Sequence, residues 1–200
     1  KEHSLLSWKP ILLNIEQEDN LYQKAQEVMQ SLKQAEELPA SQLNLMGRSA
    51  DSTVRIKAAR LLASSARYQA IHDLQQLAAD PLAEVRRAAV VASGNLKRIE
   101  LWPAILDQLS DPVVAASAIQ SARKLGEAVL PELARRFYKA ANDKGLRMSI
   151  IRVLEGIPGN KASRMLAEQL SLPDSDLRRQ VIQSLNSRDY RASFTEFSLL

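Results

Sequence analysis

The sequence predicts an all-α chain assembled from a repeated helix pair, and three observations carry that reading. Apolar residues at Val54, Val85, Ala115, Leu146 and Leu177 open similar amphipathic stretches, separated by 31, 30, 31 and 31 residues. An aspartate stands just ahead of each, at Asp51, Asp80, Asp111, Asp143 and Asp174, where a carboxylate caps the free N–H groups of a helix start. The composition agrees: 46% of the 200 residues are apolar and only 4% aromatic, with abundant Ala and Leu, which suits closely packed helices better than strands.

Taken in order, residues 1–38 form the first segment, an expected N-terminal helical cap. An apolar run, Ile11 to Ile15, is followed by the polar break Glu18-Asp19-Asn20 and then by Leu21, Ala25, Val28, Met29 and Leu32 at helical spacing. Seven acids against four bases in this segment suit an outward-facing terminal unit. Pro39 marks the boundary, and a short helix from about Ser41 to Met46 leads through Gly47 into the repeats, which run to residue 187. The most regular stretch is Asp80 to Gly94. Asp80 is expected to cap, Pro81 to take the first helical position and Gly94 to make the left-handed turn that ends the helix, with Gly126 and Gly156 in the same role. The recurring second-helix face reads Val54, Ala58, Leu61, Leu62; Leu146, Ile150, Val153, Leu154; and Leu177, Val181, Leu185. Partner helices carry Ile71, Leu74, Leu77; Ile105, Leu106, Leu109; Val129, Leu130, Leu133; and Met165, Leu166, Leu170. Residues 188–200 are a tail or the start of a further helix.

The Asp-Pro turn, the Val-Arg pair and the Ala-rich second helix resemble HEAT and HEAT-like repeats over about residues 41–187, with a period short for that class. The resemblance implies a right-handed α-solenoid of about five helix pairs, with second helices lining a concave side. It further implies that the motif Asp and Arg tie neighbouring repeats, which maps onto Asp51 with Arg55, Asp80 with Arg86, Asp143 with Arg147 and Asp174 with Arg178. The third repeat departs, because Ala116 stands where the arginine belongs. Gly126-Glu127-Ala128-Val129-Leu130-Pro131, Arg152-Val153-Leu154 and the run from Leu177-Arg178 to Leu185-Asn186 are also similar to HEAT modules appended to bacterial nucleotide-carrier-like membrane proteins. That similarity implies a regulatory or docking module of a larger, membrane-anchored chain. A first residue of Lys1 rather than Met fits an excised piece.

No motif for chemistry stands out. The two histidines, His3 and His72, do not cluster with other ligands, and no nucleophile elbow, P-loop or zinc spacing occurs, so no catalytic residue, metal or cofactor is expected. The absence of cysteine is compatible with a reducing, cytoplasmic setting, and no early segment reaches the roughly 18 apolar residues of a membrane span. The spacing Asp-x-x-x-Arg reads as helix capping and structural pairing rather than an anion site.

Charge supplies the functional hint. The second-helix segments 51–63, 80–98, 111–125, 143–155 and 174–188 hold 15 of the 27 Lys and Arg residues but 8 of the 23 acids. Lys57, Arg60, Arg87, Lys124, Arg152 and Arg179 are the candidate concave partner surface, suited to an acidic protein or peptide segment. The expected function is a non-catalytic interaction scaffold. The alternative is a nucleic-acid backbone binder resembling HEAT-like DNA glycosylases, although these helices contain no aromatic residue to stack on a base.

In the third repeat the second helix, Pro112 to Leu125, is dominated by small residues, so this unit should either permit close helix approach or form the weakest joint. In the fourth, Leu154 should be fully packed. Leu154→Ala is expected to cost about 2 to 5 kcal/mol in a chemical melt, through lost burial and the cavity left behind.

Overall fold

The computed structural model describes residues 38–64, 69–188 and 190, together with positions 23, 26, 27 and 30. The N-terminal cap and the C-terminal tail expected from the sequence therefore lie almost wholly outside the described residues. Within them the fold is all-helical, with no strand. The helices are α1 (Ala40–Gly47), α2 (Ser52–Leu62), α3 (Gln69–Leu77), α4 (Ala83–Leu96), α5 (Trp102–Leu106), α6 (Ala115–Arg123), α7 (Leu130–Lys139), α8 (Lys144–Gly156), α9 (Asn160–Ala167) and α10 (Ser175–Ser187).

Local chemistry sets where the even-numbered helices begin. The carboxylate of Asp51 accepts the N–H of Thr53 at 2.8 Å, Asp80 that of Leu82 at 2.9 Å, Asp111 that of Val113 at 2.8 Å and Asp174 that of Asp176 at 2.9 Å. Proline has no N–H, so Pro81 and Pro112 leave this two-residue bond intact. They do delay the helix: α4 starts at Ala83, past Pro81, which was expected at the first helical position, and α6 at Ala115, so Leu82 and Val114 stand at the N-caps without a side-chain bond, and Asp80 holds the turn before α4 rather than capping it as expected. Pro103 and Pro131 do sit in the first turns of α5 and α7, where the missing donor costs nothing.

Packing is between neighbours. The even helices touch in the order α2, α4, α6, α8, α10, and each odd helix packs on the even helix that follows it. The apolar stripes read from the sequence point inward: Ala58, Leu74, Ile105, Leu133, Ile150, Val153, Leu154, Leu166 and Val181 are completely buried, whereas Val54, Leu146, Met165 and Leu170 are only partly so. Buried apolar side chains form two clusters that meet at α4 and α5. Val85, Ala89 and Ala92 belong to the first with Leu43 and Leu74; Val90 belongs to the second with Ile150 and Leu154. Trp102, at the head of α5, packs against the second cluster.

Glycine placement corrects one expectation. Gly94 does not end its helix: α4 continues to Leu96, and the left-handed cap is Lys97, at φ 53°. Gly156 likewise is the last residue of α8 itself. Only Gly126 of the three has the left-handed backbone, at φ 68°. Gly94 is needed for proximity, since a Cβ built on it would lie 2.6 Å from Cβ and 2.9 Å from Cα of Ser121 on α6. The small side chains of the third unit thus allow close approach. Gly156 is constrained in the same way by the side chain of Arg123.

The clash at Gly94 sets two effects against each other. Alanine would favour the helix by about 1 kcal/mol, but overpacking against a backbone atom costs about 1 to 3 kcal/mol. Gly94→Ala should therefore destabilise the fold by up to about 2 kcal/mol in a urea melt. Combining it with Ser121→Gly should recover part of that loss; a stabilised single variant would mean that α4 and α6 are further apart than described.

Candidate functional site

The even helices begin at a row of arginine–aspartate contacts whose partners differ from the pairs read along the sequence. Arg55 bonds Asp80, with Nε to Oδ2 at 2.7 Å and Nη2 to Oδ1 at 3.2 Å, and Arg86 bonds Asp111 at 2.6 Å. Each arginine thus reaches the aspartate that holds the turn before the next even helix. Among the described residues, Asp51 with Arg55, Asp80 with Arg86, Asp143 with Arg147 and Asp174 with Arg178 make no ion pairs. The same arginines also clamp their own turn: Arg55 donates to the carbonyls of Ser49 and Ala50, and Arg86 to those of Asp80 and Pro81. Arg178 donates to the carbonyl of Leu172 in the matching position.

The series breaks where the sequence breaks. With Ala116 on α6 there is no guanidinium to reach Asp143, which caps α8 through the N–H of Leu146 at 2.8 Å. Arg147 turns to the carbonyl and ring of Phe137, its guanidinium 4.9 Å from the ring centre. Lys144 then takes over, meeting Asp174 at 3.0 Å and Asp176 at 2.7 Å. Asp176 and then Asp174 hold the Lys144 ammonium above its ordinary pKa. Asp111 is held below the usual carboxylate range, first by its bond from Arg86.

Lys57, Arg60, Arg87, Lys124, Arg152 and Arg179 are all exposed. Among the described residues only Arg179 of these six is in an ion pair, at 3.8 Å from Asp176. Three of them gather round one groove of about 800 Å³ between α2 and α4. Arg60 and Arg87 line it, and Lys124 bonds at 2.7 Å to Asn95, another lining residue. Ile56, Ala88, Val91 and Ala92 give the groove an apolar floor. Arg152 and Arg179 lie on α8 and α10, away from that groove, and Lys57 does not line it.

Sequence reasoning missed Glu84 and Glu27, which add two carboxylates to the lining, and Val91, which is 40% exposed. The doublet Val90-Val91 carried the signal for the last, since adjacent helical residues point about 100° apart and one of them can face the core while the other meets solvent. Val90 does so, completely buried. The arrangement can hold a partner by apolar contact and by charge. Among the described residues no three or more His, Cys, Asp or Glu groups converge as metal ligands, and exposed His72 has Gln76 at 3.0 Å. No helix among them is long and apolar enough to cross a membrane.

With this geometry in hand, comparison with known proteins adds no relative: no family model and no curated protein matches the chain.

The odd helices have an acid-sensitive link of their own. Glu132 accepts from Arg135 at 2.7 and 2.5 Å and from Arg136 at 2.8 Å, while Arg136 reaches Asp107 at 2.6 Å. Arg135 first, then Arg136, draws Glu132 down to about 2 from its model-peptide value of 4.5. A carboxyl depressed in the folded state contributes stability above pH 4.5 and loses it as the pH falls toward 2. Stability should accordingly decline across that window, and Glu132→Gln should flatten the decline in melts taken at successive pH values.

Proposed function

We propose that this chain is a non-catalytic interaction module. Its helix pairs stack as an α-solenoid of the HEAT-like kind, and its even-helix face binds an acidic segment of another protein. One observation carries the reading: the groove between α2 and α4 joins an apolar floor to Arg60 and Arg87, two exposed cations that make no ion pair with described residues. Cations facing water beside an apolar slot steer acidic partners and then contact them where water is partly excluded. Aspartates at the even-helix starts and neighbour-only packing support the stacked arrangement, because each unit buries its apolar stripe only against the adjoining ones. Among the described residues the groove has no aromatic lining residue and includes two carboxylates, which favours a protein segment over a nucleic-acid backbone.

The test is selection of helical peptides from a displayed library against the full chain. Selected sequences should carry acids flanking an apolar stripe. Their affinity should fall roughly tenfold or more in the Arg60→Glu, Arg87→Glu double variant, as two lost charge contacts and added repulsion imply. Arg164→Glu, on the exposed side of α9, should leave binding unchanged. Peptides indifferent to the double variant would sink the proposal, as would mixed-sequence duplex binding that weakens steeply with salt.

A further inference from the structure

Four of the five even helices carry an arginine and, one turn further on, an apolar residue: Arg55 and Ala59 on α2, Arg86 and Val90 on α4, Arg147 and Ile151 on α8, Arg178 and Ile182 on α10. Residues four apart share a helix face. Contacts along the helices show where that face points. Arg55 and Arg86 reach the aspartate at the start of the next even helix. A turn beyond Val90, Gly94 lies against Ser121 of α6, and a turn beyond Ile151, Glu155 accepts a hydrogen bond from Ser187 of α10 at 3.1 Å. This is the face each even helix turns to the unit that follows it.

Among the described residues no helix follows α10. Ala59, Val90 and Ile151 are completely buried, whereas Ile182 is 49% exposed, and Asn186, one turn on, is exposed as well. Arg178 is held as Arg55 and Arg86 are, by donating to the carbonyl six residues before it, here that of Leu172. Arg55 and Arg86 complete their contact on a carboxylate of the next unit, but Arg178 makes no ion pair with a described residue. Arg147 is the exception, since it turns to Phe137 and Lys144 supplies the tie to Asp174. The outer face of α10 therefore presents one side of an inter-unit contact, and its chemistry specifies the other side: a carboxylate for Arg178 and a small or aliphatic side chain for Ile182. In a second copy of this chain each even helix already has its preceding neighbour, α1 for α2 and an even helix for the rest.

We propose that the outer face of α10 docks a helix of a different protein, stacked as the next member of the even-helix series. That helix has an aspartate at its start to meet Arg178 and a stripe of small or aliphatic side chains to cover Ile182. The contact continues an interface formed four times within the chain, from α2 to α10. It is separate from the α2–α4 groove, so the two surfaces stand or fall independently.

The test is selection against the full chain from a displayed library of two-helix hairpins, with the start and facing stripe of the second helix randomised. Recovered hairpins should be enriched in aspartate at that start. Ile182→Lys, at an exposed position, should leave the thermal melt unchanged and weaken binding roughly tenfold or more, because an unpaired ammonium would face an apolar stripe. Arg178→Gln and an aspartate-to-asparagine change in the hairpin should each weaken binding. Made together they should cost less than the product of the two effects, the signature of a direct contact. The hairpin change leaves this chain intact, so the contact stays testable if Arg178→Gln loosens the turn at Leu172. Hairpins with no preference for aspartate, or bound equally well by Ile182→Lys, would overturn the proposal. Loss of binding in the Arg60→Glu, Arg87→Glu double variant would do the same, by placing the hairpins in the groove instead. Sedimentation equilibrium of the chain alone should be indifferent to Ile182→Lys; a dimer broken by that change would assign the face to a second copy and overturn the docking of a different protein.

Discussion

The contact on which most of this structure depends is the guanidinium shared between two units. Arg55 clamps the carbonyls that end its own preceding turn and at the same time reaches the aspartate that holds the turn before the next even helix. Its side chain is 12% exposed and that of Asp80 is 8% exposed, so the pair is largely withdrawn from water. Such a pair is costly to break from one side, because the remaining charge would be left buried alone. The planar guanidinium suits this double duty, since its fixed fork can serve a carboxylate and two carbonyls together. Lysine could not reproduce that geometry.

Around these contacts the apolar stripes do the rest. Even helices bury one face against their neighbours and offer another to solvent, so the same elements that form the core also form the groove. This is why Val85, Ala89 and Val90 belong to the core while Val91, one residue after Val90 on the same helix, lines the groove. Close approach is obtained with small residues rather than by larger apolar contact. Gly94 against Ser121 brings two helices together where Leu or Ile would hold them apart.

Helix positions were legible in the sequence because capping and amphipathic spacing are local: an aspartate acts within three residues, and a helical stripe repeats within one turn. Partner choice was not local. The bond from Arg55 spans 25 residues to Asp80, and nothing in a single repeat distinguishes that from the nearer Asp51. Gly94 was misread for a related reason. Glycine permits both a left-handed turn and a close approach, and only the facing helix decides between them. Lys97 took the left-handed position at φ 53° without any sequence signal for it. Exposure of the six proposed surface cations followed from their places on the helices, but which of them share a groove depended on how α2 and α4 sit together.

The substitution of Ala116 for the expected arginine changes which edge of the molecule is fastened. Between α2, α4 and α6 the arginine–aspartate ties join the starts of the helices. Between α6 and α8 the tie is at the other end, where Arg123 donates to the carbonyl of Arg152 at 3.1 and 2.6 Å and lies 3.9 Å from Glu155. Arg188 continues on that edge, donating to the carbonyls of Leu154, Glu155, Ile157 and Gly159. A sheaf stitched along one margin splays along the opposite one. The α2–α4 step is thus tied where its even helices begin, α4–α6 at both ends, since Lys124 also bonds Asn95 at 2.7 Å, and α6–α8 where they end, so the fastened edge changes over midway along the chain.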